Sequence, residues 1–167
     1  KVDMGGKVDL LAAILEREHL DRVIVFCNTK NTTDRITGLL RMRGIAAQCI
    51  HGDLGQKVRE KVLSFFRAGQ LRVLVATDVA ARGLDIEELS HVFNYNLPEV
   101  PETYVHRIGR TGRAGREGVA VSFCDFGEKP LLKDIEKLIG RTVPAVEDHP
   151  FPMAVSYTHL RAHETSQ

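Results

Sequence analysis

Four arginines stand three positions apart in the stretch HRIGRTGRAGRE, at residues 106–117. They are Arg107, Arg110, Arg113 and Arg116, and glycines at 109, 112 and 115 separate them. The planar guanidinium group donates to phosphate oxygens in pairs and keeps its charge in any protein environment. Glycine lets the backbone turn sharply and come close to a ligand. The stretch therefore predicts contact with phosphate groups, and a solvated basic loop is the alternative.

A second polar stretch, VATDVAARGLDI at residues 75–86, starts as an apolar strand and continues into small residues. Thr77 and Asp78 end that strand, where a hydroxyl and a carboxylate can satisfy the first N–H groups of a helix. The alternative is a phosphate bound by the same helix N-terminus and hydroxyl. Asp85 comes just after Gly83 and Leu84, where its carboxylate could accept from a ribose hydroxyl. The stretch predicts either a helix cap or one side of a nucleotide site.

The third stretch is HGDLGQKVRE, at residues 51–60. Val58 and Val62 are predicted to face the core, so Gln56 and Arg59, three positions apart, share the outward face of a helix. Taken alone, this face is a solvated surface. Beside the neighbouring strand ends, it could instead line the path of a polynucleotide.

Two kinds of nucleotide site are missing from the sequence. No phosphate-binding loop of the form GxxxxGK[ST] follows a strand, and MGGKVD near the amino end has the wrong glycine spacing. No cluster of carboxylates stands at a strand end to hold Mg²⁺. The chain thus offers cations for a nucleotide that another surface must hold.

Composition indicates one globular domain with focused positive charge. The 167 residues are 43% hydrophobic and 27% charged, and the net charge is only +1. Without the four arginines of residues 106–117 the rest of the chain would be mildly acidic. The three cysteines lie far apart without metal-ligand spacing, which predicts free thiols, a reducing compartment and a cytoplasmic location. The sequence shows no signal peptide and no apolar run of membrane-spanning length, so nothing in it predicts export or a membrane span.

Apolar runs alternate with helical patterns along the chain. Five runs predict strands: VIVFC, AAQCI, VLVAT, HVFNY and VAVSF, at residues 23–27, 46–50, 73–77, 91–95 and 119–123. Helical spacing precedes the first run and recurs at residues 36–40, 58–66 and 132–139, the last between Pro130 and Gly140. We therefore predict a three-layer α/β domain with a mostly parallel central sheet, whose ligands bind at the carboxyl ends of its strands.

The domain is predicted to cover residues 1–143. From Pro144 to Gln167 the chain holds three of its six prolines and no sustained periodicity, which predicts a poorly ordered tail. The last twelve residues, SYTHLRAHETSQ, also look like peptides translated from sequencing-adaptor DNA, so the tail is assigned no function.

Together these stretches resemble the second RecA-like domain of the DEAD-box ATP-dependent RNA helicases of superfamily 2. VIVFCNTK resembles motif IV, HGD with QKVR resembles the QxxR motif, ATDVAARGLDI resembles motif V, and HRIGRTGR resembles motif VI. Each motif is weak alone, but four in the family's order are specific. The stretches LPEVPETYVHRIGRTGRAG and LLKDIEKLIGRTVP are most similar to the bacterial RhlE-type subgroup.

The resemblance implies a RecA-like (P-loop NTPase-like) fold and a shared ATP site. In this family the first domain supplies the Walker lysine, the DEAD carboxylates and Mg²⁺, and the second supplies arginine fingers. The residues matching the family's roles are Arg110 and Arg113 as fingers, Asp85 for ribose, His106 and Arg107 for coupling between the domains, and Thr29, Lys30, Gly52, Arg59 and Thr77 for the RNA backbone.

The resemblance also implies a partner. The chain begins where the family's interdomain linker ends, so the first RecA-like domain is expected to be its partner in the same protein, and the piece alone is expected to be inactive. Closure over ATP and RNA would separate strands locally. Two alternatives remain: a non-enzymatic RNA-binding or partner-docking module, and half of a superfamily 2 DNA helicase.

Overall fold

The computed structural model describes residues 3–86, 89–111, 117–146 and 154–161 as one sheet covered by helices. The strands are β1 (Val23–Cys27), β2 (Ala47–Ile50), β3 (Val73–Thr77), β4 (His91–Asn94), β5 (Glu117–Cys124), β6 (Ala145–Val146) and β7 (Ala154–Arg161). The helices are α1 (Asp3–Arg17), α2 (Lys30–Met42), α3 (Gln56–Arg67), α4 (Asp78–Ala81), α5 (Pro101–Ile108) and α6 (Lys129–Ile139), and Phe126–Glu128 forms a 3₁₀ helix. None of these helices is both long and apolar enough to cross a membrane.

The sheet has the order β2-β3-β1-β4-β5-β7-β6, and its first five strands are parallel. All five predicted strands are confirmed, and so is the predicted α/β class with a mostly parallel sheet. Because β1 lies between β3 and β4, the carboxyl ends of these three strands lie side by side. That edge of the sheet is where ligands bind in open α/β folds.

The strands feed two hydrophobic cores because alternate residues point to opposite faces of the sheet. In β1, Val23, Val25 and Cys27 pack with α1 and α2, whereas Ile24 and Phe26 pack with α3 and the segment after β3. Burial on both faces explains why these strands are continuously apolar. The result is the predicted three-layer arrangement.

Two strands extend the sheet beyond residue 144, inside the predicted tail. β7 pairs antiparallel with β5 along eight residues, from Glu117↔Arg161 to Cys124↔Ala154, and β6 pairs with β7. Val155, Tyr157 and Thr158 belong to residue types that favour extended backbone. A strand at this position satisfies the N–H and C=O groups along the edge of β5. The division of the chain at residue 143 stays a prediction. For residues 147–153 and 162–167, which lie outside the described part, the tail stays a prediction.

The buried face of α3 differs from the predicted one. Val58 is 51% exposed and Phe65 is 38% exposed, whereas Val62, Leu63 and Phe66 are buried. The apolar stripe is therefore rotated by about one residue. Periodicity missed this rotation because Val58 and Phe65 also fit a helical repeat.

Helix α5 was not predicted, and residues 106–108 of the arginine stretch lie within it. Pro101 occupies its first turn, and Tyr104 and Ile108, four positions apart, are buried. Both are ordinary signals of a helix, so the sequence did contain the information. Helix α6, by contrast, is confirmed, with Gly140 at its carboxyl end in the left-handed conformation (φ 71°).

Candidate functional site

Arg107 is the most deeply buried charged side chain at the carboxyl edge of the sheet, among the described residues, with 1% exposure. Its Nε and Nη2 donate to the two carboxylate oxygens of Asp78, both at 2.7 Å. Nη1 donates to the Asn96 carbonyl at 2.7 Å and to Asn94 Oδ1 at 3.2 Å, and Nη2 donates to Asn28 Oδ1 at 2.8 Å. All five N–H donors of the guanidinium group are thus satisfied. Arg107 ties α5 to the ends of β1, β3 and β4.

The sequence placed Arg107 in a coupling role but did not show that it is buried. Asn94 and Asn96 were also missed as members of this cluster. The signal for Asn94 was an amide inside the apolar run HVFNY, since a buried amide needs a partner. Asn94 is fully buried, and its Nδ2 donates to Ser122 Oγ at 3.0 Å.

Arg110 contacts the backbone of the segment that follows α4. Its Nη1 donates to the carbonyls of Leu84 at 2.5 Å and Ile86 at 3.3 Å, and its Nη2 donates to that of Ala81 at 2.8 Å. These contacts flank Asp85, whose side chain is exposed. The structure thus brings together the predicted ribose residue and one predicted arginine finger. Arg113, the other predicted finger, lies outside the described residues.

A cleft of about 320 Å³ opens beside these residues. His106, Arg107 and Arg110 line it from α5 and the turn that follows, and Asp78, Arg82 and Gly83 line it from α4 and the turn after that helix. His106 is exposed, so its imidazole is available to a ligand or to another protein surface. Arg82 was given no role from the sequence, but the structure places it in the same cleft. The cleft therefore concentrates positive charge, while its carboxylate, Asp78, is already paired with Arg107.

Gly83 shapes the segment between α4 and Asp85, and it yields a stability prediction. Its φ is +80°, and an added Cβ would meet no atom within 4 Å. Gly83→Ala should therefore cost about 1–2 kcal/mol through backbone strain alone. Gly52→Ala is the matched control, because Gly52 has ordinary φ and equally open surroundings. Urea denaturation of both variants measures the difference, and equal midpoints would contradict the prediction.

The predicted RNA residues fall into two groups. Thr29 caps α2, because its hydroxyl accepts from the Thr32 N–H at 3.2 Å. Lys30 is exposed, and its Nζ lies 3.0 Å from Asp53 Oδ1, next to the exposed Gly52. These contacts connect the start of α2 with the loop after β2.

The second group meets at Ala80. Arg59 Nη2 donates to the Ala80 carbonyl at 3.0 Å, and Thr77 Oγ1 accepts from the Ala80 N–H at 3.4 Å. Thr77 is only 8% exposed, so its observed role is the helix cap that the sequence offered as one alternative. Arg59 is half-buried, and its Nε has no hydrogen-bond partner among the described residues.

The charges in the cleft fit a polyphosphate but not a magnesium ion. Guanidinium groups suit phosphate oxygens, whereas Mg²⁺ needs carboxylate or carbonyl oxygens. Asp78 is occupied by Arg107, and the Ala81, Leu84 and Ile86 carbonyls are occupied by Arg110. ATP therefore fits the residues of this cleft in charge, and a metal ion would have to be held from outside it.

The three cysteines are free thiols, as predicted. Burial raises the pKa of Cys27 to about 12, and burial together with Asp34 raises the pKa of Cys49 to about 11. These thiols are protonated at neutral pH, so neither is an activated nucleophile.

Comparisons with known proteins identify relatives of this arrangement. Residues 6–115 match the family model described as the helicase conserved C-terminal domain. The chain is 49% identical over 152 residues to the ATP-dependent RNA helicase DeaD of Mycobacterium tuberculosis, covering 88% of this chain and 27% of that protein. This chain spans about a quarter of the length of the curated relatives that it matches.

Solved structures show the same fold. The E. coli DEAD-box protein SrmB, solved bound to regulator of ribonuclease activity A, has a TM-score of 0.80 and 38% identity, covering 84% of this chain and 82% of that chain. S. cerevisiae Dbp5, solved bound to RNA and ADP BeF3, has a TM-score of 0.72 and 40% identity, covering 78% of this chain and 35% of that chain. Both likenesses are close enough in sequence to reflect more than fold alone.

Proposed function

The chain belongs to the helicase conserved C-terminal domain family of the DEAD-box ATP-dependent RNA helicases, and from this premise we propose that it is the second RecA-like half of such a helicase. The observation that carries the proposal is the position of Arg110. Its guanidinium group lies against the segment that contains Asp85, in a cleft rich in cations. The RhlE-type assignment stays a prediction.

In this proposal Arg110 and Arg113 stabilise negative charge on the terminal phosphate of ATP. Preorganised donors aimed at developing charge are usually the largest catalytic contribution in such sites. Asp85 accepts from a ribose hydroxyl, and His106 contacts the first domain across the cleft. Arg107 does not contact a ligand, since all its N–H donors are used within the protein. It holds α5, and with it His106 and Arg110, against the sheet.

The proposed RNA surface consists of Thr29, Lys30, Gly52, Arg59 and Thr77. Lys30 and Gly52 are exposed, and Arg59 keeps a buried Nε–H without an acceptor among the described residues. A phosphate oxygen would satisfy that donor if the Arg59 side chain turned outward, because the Nε atom itself is closed to solvent. Such contacts hold the sugar-phosphate backbone and carry no base sequence information. That Dbp5 was solved with RNA and ADP BeF3 supports RNA and a nucleotide as the ligands of this chain.

The proposal requires a first RecA-like domain in the same protein to bind the rest of ATP and Mg²⁺. ATP would supply the phosphoryl group that is transferred to water, and this chain would supply the cations around it. The carboxylates that Mg²⁺ needs are not offered by the described cleft of this chain, which supports a division of labour between the two domains.

We predict that the 167-residue chain alone shows no RNA-stimulated ATP hydrolysis, because it lacks the phosphate-binding loop. Fused through a flexible linker to the first RecA-like domain of a DEAD-box helicase, it should restore hydrolysis and duplex unwinding. Phosphate release and strand displacement measure both activities.

The controls separate this proposal from its alternatives. The same fusion without the Walker lysine in the first domain should be inactive, which excludes contaminating ATPases. Competition between single-stranded RNA and DNA of equal sequence tests the choice of nucleic acid. RNA-stimulated hydrolysis by the chain alone, or an inactive fusion that still binds ATP and RNA, would contradict the proposal.

A further inference from the structure

His51 is buried directly after β2, with 5% exposure, and both of its ring nitrogens have partners. Nε2 lies 2.9 Å from Asp34 Oδ1, and Nδ1 lies 3.2 Å from the main-chain N of Asp53. A main-chain N–H can only donate, so Nδ1 carries the lone pair and Nε2 carries the proton. His51 is therefore a neutral bridge between α2 and the loop after β2.

The neighbouring Cys49 does not turn this group into a metal site. Ligand atoms of Asp34, Cys49 and His51 all lie within 4.8 Å of one another, a spacing that a zinc ion could accept. A metal on Nε2 would move the ring proton to Nδ1, where it would face the Asp53 N–H instead of an acceptor. The protonated Cys49 thiol instead donates to Asp34 at 3.3 Å. Asp34 thus accepts from two donors and holds the imidazole in place.

The hydrogen bonds continue from Asp53 to Lys30. Lys30 Nζ lies 3.0 Å from Asp53 Oδ1, and both side chains are more than half exposed. An exposed ion pair of this kind adds little stability to the fold. What it does is orient the Lys30 side chain toward Asp53. Gly52 is the residue between His51 and Asp53, and a Cβ added to Gly52 would meet nothing within 4 Å. The surface beside Gly52 is open to a ligand.

We infer that His51, held by Asp34, is a positioning residue that sets the Gly52–Asp53 turn and, through Asp53, Lys30 for contact with a nucleic-acid backbone. The inference rests on the proposed function, which places RNA on Lys30 and Gly52. It adds His51 and Asp34 as the residues that position these two. Neither residue needs to touch RNA.

Two substitutions of His51 separate its two hydrogen bonds. His51→Asn keeps an acceptor at the position of Nδ1, and His51→Gln keeps a donor at the position of Nε2. Amide hydrogen exchange of the 167-residue chain, followed by NMR, reports the Asp53 N–H directly. We expect His51→Gln to speed exchange at Asp53 about fivefold to tenfold, as for loss of one hydrogen bond. His51→Asn should speed exchange less, because it keeps the acceptor for the Asp53 N–H and loses only the contact with Asp34.

Anisotropy of a labelled oligouridine RNA at low salt measures the consequence for binding. We expect His51→Gln and Lys30→Ala each to weaken binding about threefold to tenfold, and the double variant to be no weaker than either, since both act through one contact. His51→Asn should weaken binding less than His51→Gln does, because it keeps the acceptor for the Asp53 N–H and loses only the contact with Asp34. Lys133→Ala is the matched control, because Lys133 is an exposed lysine on α6.

The outcomes distinguish this inference from the proposed function. Unchanged exchange and affinity in His51→Gln, or equal losses in His51→Asn and His51→Gln, would overturn the positioning role. If wild type binds no RNA, the proposed RNA surface fails and the RNA part of this inference fails with it. The exchange data alone then decide whether His51 sets the turn.

Discussion

Replacing Arg110 with glutamine in the full-length protein is expected to lower the rate of ATP hydrolysis about 10³-fold or more, with nucleotide affinity little changed. An arginine finger typically contributes 10³ to 10⁵ in rate, because it meets charge that develops in the transition state. A factor of 10³ corresponds to about 4 kcal/mol. Single-turnover hydrolysis and binding of a fluorescent nucleotide measure the two effects separately. Arg113→Gln should behave alike, as the other proposed finger.

The control for this prediction is Arg17→Gln. Arg17 is exposed in the last turn of α1, just before β1, and so lies at the amino edge of the sheet, opposite the cleft. The Arg17→Gln substitution removes the same charge as Arg110→Gln, at a position that does not contact the site. Because Arg110 also binds three carbonyls, its variant needs a urea denaturation curve to show that the fold persists. A double Arg110/Arg113 variant that hydrolyses ATP normally would refute the finger assignment.

Arg107→Ala is expected to destabilise the chain by about 3–5 kcal/mol. The loss arises because the fully buried Asn94 and the half-buried Asp78 would each lose a partner, and because the buried guanidinium group would leave its space empty. The exposed Asn28 would also lose a hydrogen bond, which water can replace. Total stabilities of single domains are typically about 5–15 kcal/mol, so this variant approaches the limit of folding. Urea denaturation followed by circular dichroism measures the loss.

Arg107→Lys keeps the prediction testable if the alanine variant does not fold. Lysine retains the positive charge but cannot donate to both Asp78 oxygens in the bidentate geometry of a guanidinium group. We expect an intermediate loss of about 1–3 kcal/mol. If either variant unfolds at the wild-type urea midpoint, the buried cluster around Arg107 does not stabilise the fold.

Much of the site could be predicted because the family motifs are local in sequence. The contact between Arg110 and the segment around Asp85 joins two motifs that the sequence had already assigned to one nucleotide site. Thr77 was left open between a helix cap and a ligand contact. Its burial and its contact with the Ala80 N–H show the cap, whereas the RNA contact stays a prediction.

Other features could not be obtained from local patterns. The stripe on α3 was misplaced because Val58 and Phe65 satisfy the same periodicity as the residues that are buried. The partner of His51 was missed because Asp34 lies 17 positions away, on a helix that only packing brings to β2. Local sequence spacing shows which residues share one face of a helix. It does not show which residues of other helices or strands that face contacts.

The sequence by itself determined the alternation of strands and helices, the family and the edge of the sheet at which the candidate site lies. These depend on residue types and spacings that act over a few positions. Only the tertiary structure decided that Arg107 is a buried connector and not an exposed cation. Its acceptors include Asp78 directly after β3, Asn94 in β4 and Asn28 directly after β1. These strands are adjacent in the order β3-β1-β4 but distant along the chain. Burial and pairing of a charge depend on all of those elements at once, so no single stretch of residues can specify them.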